Sequence, residues 1–402
     1  MKYDFTSVLE RKGHDALAVD AVGKMPGFAP DAPEDGFDLI PMWVADMNFG
    51  TAPSITDAII KRASHPVFGY FETADEYYDS IINWHKTRNN ITGLSREAVG
   101  YENGVLGGVI SALNVMCSKG DKVLVHSPTY IGFTMSLGNN GYEIIHSPLY
   151  IDGAGRWRMN YEDMEEKIKK EHIHAAIMCS PHNPTGRVWD KEELEAAMEL
   201  FKKYNVYVVS DEIWSDIILG DNKHIPVQSV SEDAALRTAA YYAPSKTFNL
   251  AGLIGSYHII YDPWLKERIL KESSLSHYND MNVLSMHALI GAYNREGAEW
   301  VDELKQVLTE NVNYACDFTG SELKGIKVSR PEGTYMLFAD CTDWCRTTGQ
   351  TIDDVEKACW SKGVAVQDGR MFHGPCHLRL NLASPASRIQ EAFDRMKKYI
   401  FV

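Results

Sequence analysis

Short apolar runs separated by amphipathic stretches dominate the middle of the chain. KVLVH at 122–126, YEIIHS at 142–147, HAAIMCS at 174–180, VYVVSD at 206–211, TAAYYA at 238–243 and IGSYHII at 254–260 are apolar throughout instead of alternating. Strands buried on both faces read this way, because a parallel sheet is covered by helices on either side. Between two of these runs, DKEELEAAMELFKKYN (190–205) has the period of an amphipathic helix. Asp190 stands at its N-cap and acidic residues fill the first turn, where the helix dipole favours them. The alternation predicts an α/β fold with a mostly parallel, doubly wound sheet.

Beyond about residue 290 the pattern changes. WVDELKQVLTENVNYACDFTGSEL predicts a long helix, KVSR, YMLFAD, VAVQ and HLRLNLA predict short strands, and SRIQEAFDRMKKYI predicts a closing helix. These describe a smaller α+β domain. Up to about residue 50, Gly or Pro recurs at 23, 26, 27, 30, 33 and 36 and no long periodic element is visible. The expected division is residues 1–50 as a segment joining the small domain, 51–288 as the large domain and 289–402 as the small one. Two domains also suit 402 residues at about 100–200 residues per domain.

Charge narrows the partners. Forty Lys and Arg against 55 Asp and Glu leave a net charge of −15, and no basic cluster exceeds a pair. Such a surface repels phosphate backbones and anionic lipid, so neither nucleic acid nor membrane is an expected partner. The first twenty residues scatter charges through any apolar stretch, which leaves no leader readable. The longest nearly apolar run, 105–117, is well short of the roughly 18 residues of a spanning helix. A soluble, cytoplasmic protein is expected. Seven scattered cysteines read as reduced thiols, and Cys341, Cys345, Cys376 and His377 match no common zinc spacing, so no metal is expected.

Four stretches carry candidate chemistry. SPHNPTG, ending at Gly186, places Asn183 just after one strand; VYVVSDEIW places Asp211 at the end of the next; APSKTFNLAG places Lys246 after a third, with Ser245 beside it. ENGVLGG, from Glu102 to Gly108, opens a helix whose free N–H groups suit an anion. Each alone has an ordinary explanation: a Pro/Gly turn, a helix cap, a surface lysine, a Gly-rich connection. Together, at successive strand ends where open α/β sheets bind ligands, they describe a pocket for pyridoxal 5′-phosphate (PLP).

NPTG followed by DE and then by SKTFNLAG resembles the fold-type I, class I/II aminotransferase superfamily of PLP-dependent enzymes, across essentially the whole chain. PMWVADM (Pro41 to Met47) and HPVFGY (His65 to Tyr70) narrow the resemblance to the MalY/PatB branch of cystathionine β-lyases, or C–S lyases. The resemblance implies a PLP-transferase fold with a large and a small domain. It makes Lys246 the amine that joins the cofactor aldehyde and later takes the substrate Cα proton, Asp211 the partner of the ring nitrogen, and Asn183 a donor to the ring 3′-oxygen. Tyr130 would stack on the ring, and Val105, Leu106 and Ser245 would hold the phosphate. Tyr70 would reach in from a second subunit, implying a homodimer. Arg379 would grip the substrate carboxylate, with backbone near Ala45 completing that site.

Departures from the superfamily pattern also matter. Trp214 stands where many members have a tyrosine, Ala243 where Ser or Thr is frequent, and Ile254 where many aminotransferases have a phosphate-binding arginine. Deprotonation at Cα opens both transamination and β-elimination. The branch motifs and the missing arginine favour β-elimination of L-cysteine S-conjugates, giving thiol, pyruvate and ammonia. An aminotransferase working on an amino acid and a 2-oxo acid is the alternative, and a PLP-binding regulatory protein acting through a partner is a second. The native thioether stays open, as does which of the bonds before Pro128, Pro181 and Pro184 are cis.

Overall fold

The computed structural model describes residues 1–275 and 279–402. Its main sheet has seven strands: β1 (Val99–Glu102), β2 (Lys122–Ser127), β3 (Glu143–Pro148), β4 (Ala175–Cys179), β5 (Tyr207–Asp211), β6 (Thr238–Tyr242) and β7 (Ser256–Ile259). Their order is β1-β7-β6-β5-β4-β2-β3, parallel except for β7, which runs against both neighbours. The six apolar runs read from the sequence are six of these strands. β1 was not legible, since VGYE is short and its Gly100 is there for space: a Cβ would lie 2.3 Å from the His258 ring.

Alternate residues of the central strands feed two different cores, as two-sided burial requires. Val123, Val125, Ile177 and Val209 pack with Val109 and Leu113 of α1 (Val105–Met116) on one face. Leu124, Ala176, Met178 and Val208 pack on the other with Leu194, Ala197, Met198 and Phe201 of α2 (Lys191–Lys203). The Asp190–Glu193 capping box starts α2 one residue after the cap read from the sequence.

A second sheet, in the order β8-β9-β11-β10, is antiparallel throughout: β8 (Lys327–Val328), β9 (Met336–Asp340), β10 (Gln367–Asp368) and β11 (His377–Asn381). The long helix α3 (Arg295–Glu322) and the closing helix α4 (Ala386–Tyr399) pack together beside it. Ile40–Pro41 pairs in parallel with Val364–Ala365, which ties the N-terminal segment to this part of the chain. No helix among the described residues is long and apolar enough to cross a membrane.

A buried ion cluster links the two sheets. Arg187, directly after NPTG, is 2% exposed and pairs with Glu193 of α2, Asp190 and Glu332. Glu332 and Gly333 in turn donate their backbone N–H groups to the Gly186 carbonyl, both at 2.9 Å. Gly186 has φ +69°, and a Cβ there would meet Pro331 at 2.5 Å, so only glycine fits this crossing. Arg187→Met removes the buried cation that Glu193 and Glu332 share and leaves them only Arg158 and Arg156, which are more exposed; a loss of about 1–3 kcal/mol is expected, read as a lower urea midpoint at unchanged m-value.

Candidate active site

The carboxyl ends of β2, β4, β5 and β6 open on a cavity of about 260 Å³ lined by Ala45, Val105, Leu106, Tyr130, Asn183, Asp211, Trp214, Ser245 and Lys246, among others. Register produces this convergence: Asp211 lies beside Cys179 of β4 and Tyr241 of β6. Lys246 sits on the short helix Pro244–Thr247 that follows β6 at once. The bonds before Pro128, Pro181 and Pro184 are all cis.

Lys246 Nζ donates to the Ala45 carbonyl at 2.9 Å and lies 5.8 Å from the centre of the Trp214 ring. Burial, with the positive Arg379 nearby, lowers its pKa from the ordinary 10.5 to about 8. Asp211 is 4% exposed and, among the described residues, its carboxylate accepts only the Ile213 N–H, at 3.0 Å. Burial raises its pKa to about 7, so a cation placed against it would hold it as carboxylate.

Arg379 comes from β11 of the other sheet. It is 3% exposed, and its guanidinium donates to the Trp43 carbonyl at 2.9 Å, to Gln367 Oε1, and to Asn183 Oδ1 at 3.4 Å, while lying 4.4 Å over the Phe372 ring. Its Nε has no partner, and no carboxylate pairs with it among the described residues. Burial lowers its pKa to about 10. A buried cation without a counter-ion is costly, and a ligand carboxylate would supply the missing charge. The bond from Arg379 also orients Asn183, whose Oδ1 is occupied while Nδ2 remains to donate.

At the opposite end, α1 begins after Gly104, whose φ of +86° favours glycine. The first helical bond runs from the Gly108 N–H to the Gly104 carbonyl, so the N–H groups of Val105, Leu106 and Gly107 have no acceptor within the helix. Orphan donors at a helix N-terminus, with Ser245 on the same wall, suit a phosphate. Ile254, on the rim, is 55% exposed with φ +45°, an uncommon conformation for a β-branched residue. The donor set, the acidic group and the amine therefore fit PLP.

Nine of the eleven residues chosen from the sequence line this cavity, and Arg379 stands behind its wall in contact with Asn183. Tyr70 is the exception within a single chain: it is fully exposed and touches nothing in the cavity. Ala45 contributes its carbonyl, which accepts from Lys246 and, at 3.2 Å, from Tyr335. Tyr335, Gln367, Phe372 and the Trp43 carbonyl escaped the sequence reading. Tyr335 is fully buried and packs edge-on to Trp214 at 4.7 Å. Its only signal was an aromatic at the head of the strand YMLFAD, which core packing explains equally well.

Sheet order and pocket together are those of the PLP-dependent transferases of fold type I. The chain belongs to the class I and II aminotransferase family, whose model matches residues 38–396. It is similar to cystathionine beta-lyase PatB of Bacillus subtilis (strain 168), 31% identical over 96% of this chain and 97% of that protein. It is also similar to Protein MalY of Escherichia coli (strain K12), 30% identical over 97% and 96% of the two chains. The solved PLP-bound C–S lyase from Staphylococcus hominis shares its fold with a TM-score of 0.89, at 30% identity over 100% of this chain and 99% of that one.

Because burial and Arg379 both disfavour the ammonium form, Lys246 should titrate near pH 8 in the cofactor-free protein. Amine acylation followed by peptide mass mapping should show its reactivity rising through that pH. Arg379→Leu should move the midpoint upward, and an unchanged midpoint would contradict the electrostatic account.

Proposed function

We propose that the chain is a PLP-dependent carbon–sulfur lyase that eliminates the β-substituent of L-cysteine S-conjugates, L-cystathionine among them, to give thiol, pyruvate and ammonia. The observation that carries the reading is the meeting of Lys246 and Asp211 in one cavity, with Arg379 against its Asn183 wall, in a chain similar to a cystathionine beta-lyase and a C–S lyase.

When bound, PLP supplies an electron sink for the carbanion formed at Cα. Every other task falls to the chain. Arg379 holds the α-carboxylate of the substrate, Asn183 donates to the ring 3′-oxygen, and Tyr130 stacks on the ring. The N–H groups of Val105 and Leu106 and the Ser245 hydroxyl hold the phosphate. Asp211, at the floor of the cavity, would hold the ring nitrogen protonated as its carboxylate partner. Lys246 takes the Cα proton; at a pKa of about 8, roughly a tenth of the amine is already neutral at pH 7, without any cofactor present. The electron pair left at Cα would then form the Cα=Cβ bond as the Cβ–S bond breaks, the Cβ–S pair leaving with sulfur as thiolate, and water would hydrolyse the released 2-aminoacrylate to pyruvate and ammonia. Trp214 contributes ring packing under Lys246.

We further propose a homodimer. Tyr70 lies in an exposed stretch with Val67 and Phe68, each more than half exposed, and unpaired apolar surface of this kind marks an interface. Tyr70 would then reach the phosphate end of the neighbouring cavity. Sedimentation as a monomer at micromolar concentration would refute this arrangement.

The direct test mixes holoenzyme with L-cystathionine and no 2-oxo acid. Pyruvate and free thiol should appear together, continuously and in equal amounts. Conversion of the cofactor to its amine form after a single turnover would instead make the chain an aminotransferase. Asp211→Ala should lower kcat by about 10²-fold or more, and Trp214→Phe by less than about tenfold, since only the first removes the charge facing the ring nitrogen.

A further inference from the structure

Asp211 and Lys246 must address opposite ends of one ring, yet they sit on different segments: the turn after β5 and the short helix after β6. One buried side chain bolts these segments together. Asp216, 6% exposed, accepts from Thr247 Oγ1 at 3.0 Å through Oδ2 and from Trp84 Nε1 at 2.9 Å through Oδ1. Thr247 is the residue after Lys246 and is fully buried. Among the described residues this is the only side-chain hydrogen bond between residues 212–217 and residues 244–248.

The arrangement is stiff at both ends. Trp84 stacks on Tyr293 at 4.5 Å with 5° between ring planes, so the indole that holds Oδ1 cannot drift. Phe248, on the other side of Thr247, is fully buried and packs against Trp300 at 5.6 Å. The turn from Glu212 to Asp216 also carries Trp214, whose ring lies under the Lys246 amine. Asp216 forms no ion pair among the described residues, and burial raises its pKa. Its desolvation is costly and two hydrogen bonds offset only part of it.

We propose that Asp216 is a positioning residue for Lys246. Acting through Thr247, it fixes where the amine stands relative to the Asp211 carboxylate and the Trp214 ring, with no contact of its own to substrate or cofactor. The inference rests on the roles given to Lys246 and Asp211 under the proposed function.

The variants separate hydrogen bonding from shape and charge. Asp216→Asn keeps an oxygen for the Trp84 indole, and its amide can donate to Thr247, whose hydroxyl turns to accept. Asp216→Leu keeps volume but loses both bonds, and Thr247→Val loses only the bond nearest Lys246. Borohydride reduction of wild-type holoenzyme and peptide mapping come first. Cofactor fixed anywhere other than Lys246 overturns the underlying reading and the inference with it. With label at Lys246, the inference is tested by the pH midpoint of the cofactor absorbance band, kcat and KM. Thr247→Val and Asp216→Leu should move the midpoint by about one pH unit and lower kcat about 10- to 100-fold, with KM held within about threefold. Asp216→Asn should stay within about threefold of wild type in kcat. A folded Thr247→Val protein with wild-type midpoint and kcat overturns the proposal, whether or not Asp216→Leu folds. So does Asp216→Asn as impaired as Thr247→Val, which would mean charge acts where hydrogen bonding is proposed.

Discussion

Two cations from different sheets meet across one cavity wall, Lys246 lining it and Arg379 behind Asn183, and among the described residues no carboxylate is in direct contact with either. Lys246 follows β6 of the large sheet, and Arg379 lies within β11 of the small one. Backbone carbonyls hold them apart: Trp43 accepts from Arg379 and Ala45 accepts from Lys246. Asn381, two residues along β11, holds the same loop through the carbonyls of Val44 and Asp46. Asn249, three residues after Lys246, pairs with both the N–H and the carbonyl of Met47. The WVADM stretch is thus a hinge pin between the sheets, and its carbonyls let two cations remain buried at close quarters.

Electrostatics in the cavity follow from that placement. Each positive charge makes the other harder to keep, which favours a neutral lysine and an arginine in want of an anion. Asp211, buried with one hydrogen bond to its carboxylate among the described residues, wants a cation. The free helix N-terminus at Val105 wants a phosphate. A substrate carboxylate at one end, a protonated ring nitrogen at the bottom and a phosphate at the other end would satisfy all three at once. No group of three or more His, Cys, Asp or Glu side chains able to hold an ion occurs among the described residues.

The NPTG loop shows how one short motif can do several structural jobs. Asn183 enters the cavity, Gly186 supplies the left-handed turn under Pro331, and Arg187 carries the buried ion cluster that fastens the loop to the segment leading into β9. Tyr335, only three residues beyond Glu332, is therefore held over Trp214 by the same cluster that holds Asn183. Packing and site geometry are here one set of contacts.

The strand runs, the amphipathic α2 and the residues Asn183, Asp211 and Lys246 were legible in the sequence because each is a local signal: two-sided burial writes an apolar run, a cap writes Asp190, and a strand end writes polar residues after it. Tyr335, Gln367, Phe372 and Asp216 were not, because nothing in their own neighbourhoods distinguishes them from core or surface. Their meaning lies in contacts to residues far along the chain: Gln367 beside Arg379 through a β10–β11 pairing, Asp216 beside Thr247 through the β5–β6 crossover. Tyr70 marks the far limit, since a single chain leaves it in solvent. The sequence by itself determined which chemistry the chain carries and the order in which it meets the sheet edge. Tertiary structure decided the charge state and aim of those groups, because pKa and orientation depend on burial and on partners that only folding brings within reach.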